Sequence, residues 1–366
     1  MRGKEHKNGK QAPLGLVILR IVLIVLIIVL VLAAGLVLYL TVTEYKPADE
    51  EPVDVQTQGE GRVVKAGDEL RLVTWNCGYG ALGDNADFFM DGGSMVKTAT
   101  KERVEQNLAT IQGELTSLSP DITFLQEVDT DSARSYHIDE VSELQEGSVS
   151  SDFAYNYKVS FVPYPVPPMG RIYSGVATDT DLAVDSATRI ALPCPFKWPV
   201  RAGNLKRCLL VNRVPVDGSD RELVLVNLHL EAYDDGEGKA AQTKVLCDFL
   251  ENEYEKGNYV IAGGDFNQTF SGTDTSMYPD KEGTWQCGLL DENAFPETFQ
   301  FCQDSSTPTC RSLDIPYAGA DHDTFQYYVI DGFIVSDNVE VQSCETQDLG
   351  FSATDHNPVL LEVKLK

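Results

Sequence analysis

Apolar residues along the chain first gather in one unbroken block. The stretch "IVLIVLIIVLVLAAGLVLYLTV", residues 21–42, runs twenty-two residues without a charge, and about 20 suffice for a helix to cross the hydrocarbon of a bilayer. The block predicts a transmembrane helix. A cleaved signal peptide would have a shorter apolar region closed by a small-x-small site, and neither is present. Residues 43–68 lose any sustained apolar period and are rich in acid, Pro, Gln and Gly, which predicts a flexible acidic linker.

From residue 69 onward two periods alternate. "LRLVTWN" at 70–76 reads as a strand that breaks at glycines. Between Lys101 and Leu118, apolar residues fall at Val104, Leu108, Ile111, Leu115 and Leu118, the spacing of one helix face. Pro120 ends that helix and the strand "ITFLQEV" follows at once. The same order recurs, with a helical stretch over 238–256 and then "YVIAG" at 259–263. Further strands are predicted at "GVAT", "CLLVNRVPV", "LVLVNLHL", "VIDGFIV" and "VLLEVKL". Helices interleaved with apolar strands predict one α/β domain over residues 69–366.

Charge then orients the chain. Arg2, Lys4, Lys7 and Lys10 precede the apolar block in a short basic tail, residues 1–20, while Glu44, Asp49, Glu50, Glu51 and Asp54 follow it. The positive-inside rule leaves that tail in the cytoplasm and exports everything after residue 42. The net charge is −27, and residues 1–42 carry five basic side chains against one acidic, so the exported part is the more acidic still. Such a domain repels polyanions and disfavours long nucleic acids, which bind through phosphate neutralisation. All eight cysteines lie beyond the block. Cys302 with Cys310, and Cys194 with Cys208, are spaced for disulfides in an oxidising compartment, and free buried thiols are the equal alternative.

Chemistry enters where strands end. Asn76 follows "LRLVTW", Glu127 sits in "ITFLQE", and His229 in "LVLVNLH"; Asp265 and Asn267 follow "YVIAG", whose glycines suggest a tight turn. Asp331 follows "YYVI", and Asp355 with His356 precedes "NPVLLEV". Each residue alone reads as a turn, a cap or a structural histidine. Their recurrence at the edges of apolar strands, where α/β folds build their sites, points to one cleft. A calcium-loop protein is disfavoured, because the Asp-x-Asp-x-Asp-Gly spacing is missing.

"WN" at 75–76, "QE" at 126–127, "NLHL" around His229, "GDFN" at 264–267, "ID" at 330–331 and "TDHNP" at 354–358 together resemble the endonuclease/exonuclease/phosphatase superfamily of metal-dependent phosphoesterases. The resemblance implies a four-layer α-β-β-α sandwich of the DNase-like type, here preceded by one transmembrane helix. It implies Mg²⁺, or Mn²⁺ as substitute, on Asn76, Glu127 and Asp355. It places Asp265 on the attacking water, Asn267 on a phosphoryl oxygen, His229 and His356 against the phosphate, and Asp331 behind His356. Two departures stand out: Thr354 occupies a position where the family often has Ser, and the segment from Gly78 to Met95 is longer than the family pattern.

The expected activity is divalent-metal-dependent hydrolysis of a phosphoester, lipid or small molecule, by a monomer at the outer surface of the membrane. Cleavage of extracellular DNA or RNA, or an inactive binding module on the same fold, are the alternatives. Residues 186–216 hold Arg189, Lys197, Arg201, Lys206, Arg207 and Arg213 with no acid, either a rim for an anionic substrate or the solvated ends of a hairpin. The aromatic and proline residues of "FVPYPVPPMGRIYSG", 161–175, would line an apolar entrance or simply pack.

Overall fold

The computed structural model describes residues 13–366 apart from 146 and 235, and the chain divides into two units, one ending at Glu44 and one spanning Tyr45–Lys366. In the first, the helix Leu14–Val42 is long and apolar enough to cross a membrane. It starts before the expected residue 21, because Leu14, Leu16, Val17, Ile18 and Leu19 are apolar too and Arg20 interrupts them only once. Arg2, Lys4, Lys7 and Lys10 of the basic tail lie outside the described residues.

The second unit is built on two sheets. One carries the strands Val339–Thr346, Val359–Leu365, Glu69–Asn76, Ile122–Asp129, Gly170–Thr180, Ser150–Val162 and Gln56–Thr57 in that spatial order. The other orders Glu50–Val53, Ser186–Ala191, Cys208–Asp217, Glu222–His229, Tyr259–Asp265, Asp331–Ser336 and Phe299–Cys302. Each sheet has a parallel pair inside it: Glu69–Asn76 with Ile122–Asp129, and Glu222–His229 with Tyr259–Asp265. Parallel neighbours need a crossover, and a helix supplies it in both cases, Lys101–Leu118 and Glu237–Glu255.

Strand alternation sets the layers. Leu72, Phe124, Leu225, Ile261, Phe333 and Leu361 are fully buried between the sheets. Their sequence neighbours point outward: Val73 and Leu125 meet Val104, Leu108, Ile111 and Leu115 of the first helix, while Val224, Val226 and Val260 meet Leu246 and Leu250 of the second. Both β layers are therefore buried on two faces, which explains their nearly continuous apolar runs. The result is the expected α-β-β-α sandwich. The first helix begins at Thr100, whose hydroxyl accepts from the Arg103 amide at 3.2 Å, and ends at the left-handed Ser119 before Pro120.

One expectation is corrected. The segment 43–68 is not a flexible linker: Glu50–Val53 pairs antiparallel with Ser186–Ala191, Gln56–Thr57 pairs with the strand Ser150–Val162, and Val64 is fully buried. Arg62 further bonds Asp121 at 2.6 Å. Its polar composition conceals strands held by backbone pairing rather than by apolar faces. Of the two alternatives for the cysteines, the structure shows free thiols: all eight are free, and neither Cys302 with Cys310 nor Cys194 with Cys208 is bridged.

These strands make residues 45–68 part of the fold. A fragment beginning at Tyr45 will melt well above one beginning at Leu70, and Val64→Ala in the longer fragment will cost about 2 kcal/mol for the deleted methyl groups. Equal melting temperatures for the two fragments, by circular dichroism, would return the segment to a spacer.

Candidate active site

Parallel strands deliver their last residues to one edge of each sheet, and the two sheets face each other. Asn76 and His229 are the final residues of their strands, Asp265 ends a third, and Asp331, which pairs with Asp265 in antiparallel register, starts a fourth at the same edge. Asp355 and His356 lie just before the strand Val359–Leu365. The structure brings all eight expected residues together: each is within the contacts described below or lines the same cavity.

Backbone irregularities aim two of them. Glu127 has φ 52° at a register shift between Gln126 and Val128, a bulge that turns its side chain out of the ladder. Asn267 has φ 51°; left-handed backbone in a non-glycine residue costs on the order of 1–3 kcal/mol and clusters at functional sites. The glycines before Asp265 make no turn. They belong to the strand, and a Cβ on Gly264 would lie 1.9 Å from the Leu228 carbonyl oxygen, so they are there for close strand approach.

One oxygen gathers the cluster. Asp265 Oδ2 accepts from Asn76 Nδ2 at 3.0 Å and stands 3.5 Å from His229 Nε2 and 3.9 Å from His356 Nε2. Its other oxygen accepts from the Asn267 amide at 2.8 Å. His356 Nδ1 bonds Asp331 Oδ2 at 2.8 Å. The Thr354 hydroxyl donates to the Asn76 carbonyl at 3.0 Å and reaches Asp355 Oδ1 at 3.2 Å, so threonine serves at that position. Asn267 Nδ2 already donates to the Leu230 carbonyl at 2.9 Å, which leaves one amide proton for a ligand.

Burial drives the titrations apart. The Asp265 carboxyl is pushed up to about 7, first by burial and then by neighbouring Asp331. Burial holds His229 well below the ordinary imidazole value, and the cations Arg207, His356 and Arg134 add to it. Burial acts on His356 in the same direction and is the largest single influence, but Asp331 and Cys310 together outweigh it and raise that imidazole well above its usual range. One histidine is thus neutral and the other charged at neutral pH.

The oxygen donors fit a hard divalent cation. Glu127 accepts from Asn76 Nδ2 at 3.5 Å and stands 3.9 Å from His229 Nε2, and its carboxyl is raised by burial and by Asp355 although Arg134 opposes both. A buried carboxyl whose charge is opposed by a neighbouring carboxylate is relieved by a cation. Asn76 Oδ1 accepts from the Gly78 amide at 3.0 Å and retains a second lone pair. Among the described residues, close groupings of possible ligands are Asp265, Asp331 and His356, and Cys310, Asp355 and His356; His356 Nδ1 is already bonded by Asp331.

A cavity of about 430 Å³ opens onto these residues. Phe88, Phe89 and Met90 from the long 78–95 segment and Val162, Tyr164 and Met169 from the proline-rich segment line its mouth, and the Phe89 and Tyr164 rings meet edge to face at 5.7 Å. Only part of the basic stretch is withdrawn from the surface, since Lys197 and Arg201 are exposed. Arg189 and Arg207 are buried, and Arg213 is paired with Glu222 and Glu253. Sequence reasoning missed Arg134, which lines the cavity beside Glu127; nothing in its spacing marks it.

The chain belongs to the endonuclease/exonuclease/phosphatase family, whose model matches residues 73–356. Solved structures agree on the fold. An endonuclease/exonuclease/phosphatase from Beutenbergia cavernae has 18% identity and a TM-score of 0.54, over 81% of this chain and 72% of that one. The human Nocturnin catalytic domain, solved with a bound sulfate anion, has 16% identity and a TM-score of 0.51, over 86% and 98%. An endonuclease/exonuclease/phosphatase from Bacteroides vulgatus has 15% identity and a TM-score of 0.51, over 82% and 100%. No curated protein matches the sequence.

The split between the imidazoles is measurable. Nitrogen NMR at pH 7 will find His356 doubly protonated and His229 neutral, and Asp331→Asn will bring the His356 titration down. Because the folded value is raised, the pair stabilises the fold below the unfolded histidine value, and that stability fades as pH rises through the folded value. A neutral His356 at pH 7 in the parent protein would contradict the assignment.

Proposed function

We propose that the domain hydrolyses phosphoester bonds with Mg²⁺, or Mn²⁺ in its place, at the extracytoplasmic face of a membrane in which Leu14–Val42 is the anchor. The observation that carries this reading is the convergence of Asp265, His229 and the Asp331–His356 pair beside Glu127 and Asp355. Asn76, Glu127 and Asp355 would hold the cation, which supplies Lewis-acid stabilisation of charge on the phosphoryl oxygens when bound.

The chain's own groups perform the rest. Asp265, with its carboxyl near 7, is poised to take a proton from the attacking water, because a general base works best when its pKa lies near the operating pH. Asn76 and the Asn267 amide hold that carboxyl in place. Charged His356 donates from Nε2 toward the phosphoryl group while Asp331 fixes Nδ1. Neutral His229 contributes a hydrogen bond rather than a charge. The remaining amide proton of Asn267 is available to a phosphoryl oxygen.

The apolar mouth supports a small or lipid-like ester. The net charge of −27 weighs against long nucleic acids, whose affinity comes largely from phosphate neutralisation. An inactive binding module would have no use for two imidazoles tuned in opposite directions.

Activity against bis-(p-nitrophenyl) phosphate and p-nitrophenyl phosphate, with Mg²⁺ and with chelator, tests the reading. Glu127→Ala will abolish metal-dependent turnover and keep the fold. His356→Ala will lose roughly 100-fold or more in rate with little change in metal affinity. Parental turnover in Glu127→Ala, or hydrolysis undiminished by chelator, would defeat it.

A further inference from the structure

Two guanidinium groups in the cavity have no part in the mechanism above. Arg134 is buried and gripped by the fully buried Asp129, with Nε on Oδ2 at 3.0 Å and Nη2 on Oδ1 at 2.9 Å. Nη2 also reaches the Ser174 hydroxyl at 3.2 Å, and the guanidinium carbon stands 3.6 Å from the centroid of the Tyr79 ring. Arg207 is held in the same manner. Its Nε donates to Glu231 Oε2 at 3.3 Å and its Nη1 to the His229 carbonyl at 3.1 Å.

Each fork keeps one nitrogen in reserve. Among the described residues, Arg134 Nη1 and Arg207 Nη2 donate to no protein acceptor, and neither is among the buried polar atoms sealed away without a partner. Both side chains line the cavity, and both bear electrostatically on His229. They come from opposite sheets: Arg134 follows the strand Ile122–Asp129, and Arg207 immediately precedes Cys208–Asp217. Packing alone does not explain them, since buried ion pairs often contribute less than apolar residues of the same size.

We propose that Arg134 and Arg207 form a two-sided cradle for the non-ester oxygens of a phosphoryl group, pre-set by Asp129, Glu231 and the Tyr79 ring. A guanidinium already fixed by a carboxylate loses little further freedom on meeting an oxyanion, and charge-assisted hydrogen bonds are the strong ones. The cradle deepens the hydrolase reading by adding specificity for phosphoryl oxygens. It involves no bond-making, so it is testable by binding alone.

The experiment titrates inorganic phosphate into the full chain in detergent by calorimetry, with Mg²⁺ and with chelator. Two paired variants, Asp129→Asn with Arg134→Gln and Glu231→Gln with Arg207→Gln, remove each cation together with its carboxylate and leave no buried charge unmatched. Each should weaken phosphate binding roughly tenfold or more, at parental Mg²⁺ affinity. For variants that do not fold, side-chain nitrogen NMR of the parent protein replaces them, and phosphate should shift the Arg134 and Arg207 guanidinium signals. Parental phosphate affinity in both folded variants, unmoved guanidinium signals, or no binding of millimolar phosphate by the parent would overturn the cradle. Failure to hydrolyse any ester, with arginine-dependent phosphate binding intact, would overturn the hydrolase reading alone.

Discussion

Everything at the cleft depends on two sheets holding one alignment, and a buried amide contact sets it. Gln126 Nε2 donates to Asn227 Oδ1 across the interface at 2.8 Å, and Asn227 Nδ2 answers with bonds to the Leu125 and Ala177 carbonyls at 3.2 and 2.7 Å. Both side chains are fully buried, so any sliding that broke these bonds would leave amides unsatisfied in an apolar layer at roughly 1–3 kcal/mol each. Glu127 is the next residue after Gln126, and His229 lies two beyond Asn227. A slip of one residue in either strand would send its site residue to the wrong face.

That alignment concentrates charge where water is scarce. Asp265 Oδ2 has two imidazoles and an amide around it, and Asp355 adds to the cost of ionising the buried Glu127. Taken alone, such a cluster destabilises the fold, and the left-handed Glu127 and Asn267 add backbone strain. Under the proposed function, a cation and a phosphoryl group would offset that cost. The tension in the bare protein is therefore a reason to read the cleft as a site rather than as packing.

Much of this was legible in the residue order, for physical reasons. Strands buried on both faces write long apolar runs, the helix Lys101–Leu118 writes its 3.6-residue period, and polar residues ending those runs mark the cleft. What escaped was held by other forces. The short strands at 50–53, 56–57 and 64–65 depend on backbone pairing, which composition conceals. Gly263 and Gly264 look like a turn and are instead a close approach, against the Phe333 ring and the Leu228 carbonyl. Arg134 and Arg207 acquire meaning only from partners that folding brings beside them, Asp129 and Glu231. The free cysteines show that even spacing alone does not predict a disulfide.

The central claim is that Asn76, Glu127 and Asp355 hold one divalent cation facing the Asp265 and His356 pair of groups. Anomalous diffraction from crystals of the 45–366 domain grown with Mn²⁺ and phosphate tests it most directly. The account predicts a strong manganese peak in the cleft with Asn76, Glu127 and Asp355 among its ligands. A cleft free of manganese at saturating concentration, or a peak bound only by residues elsewhere in the domain, would contradict it.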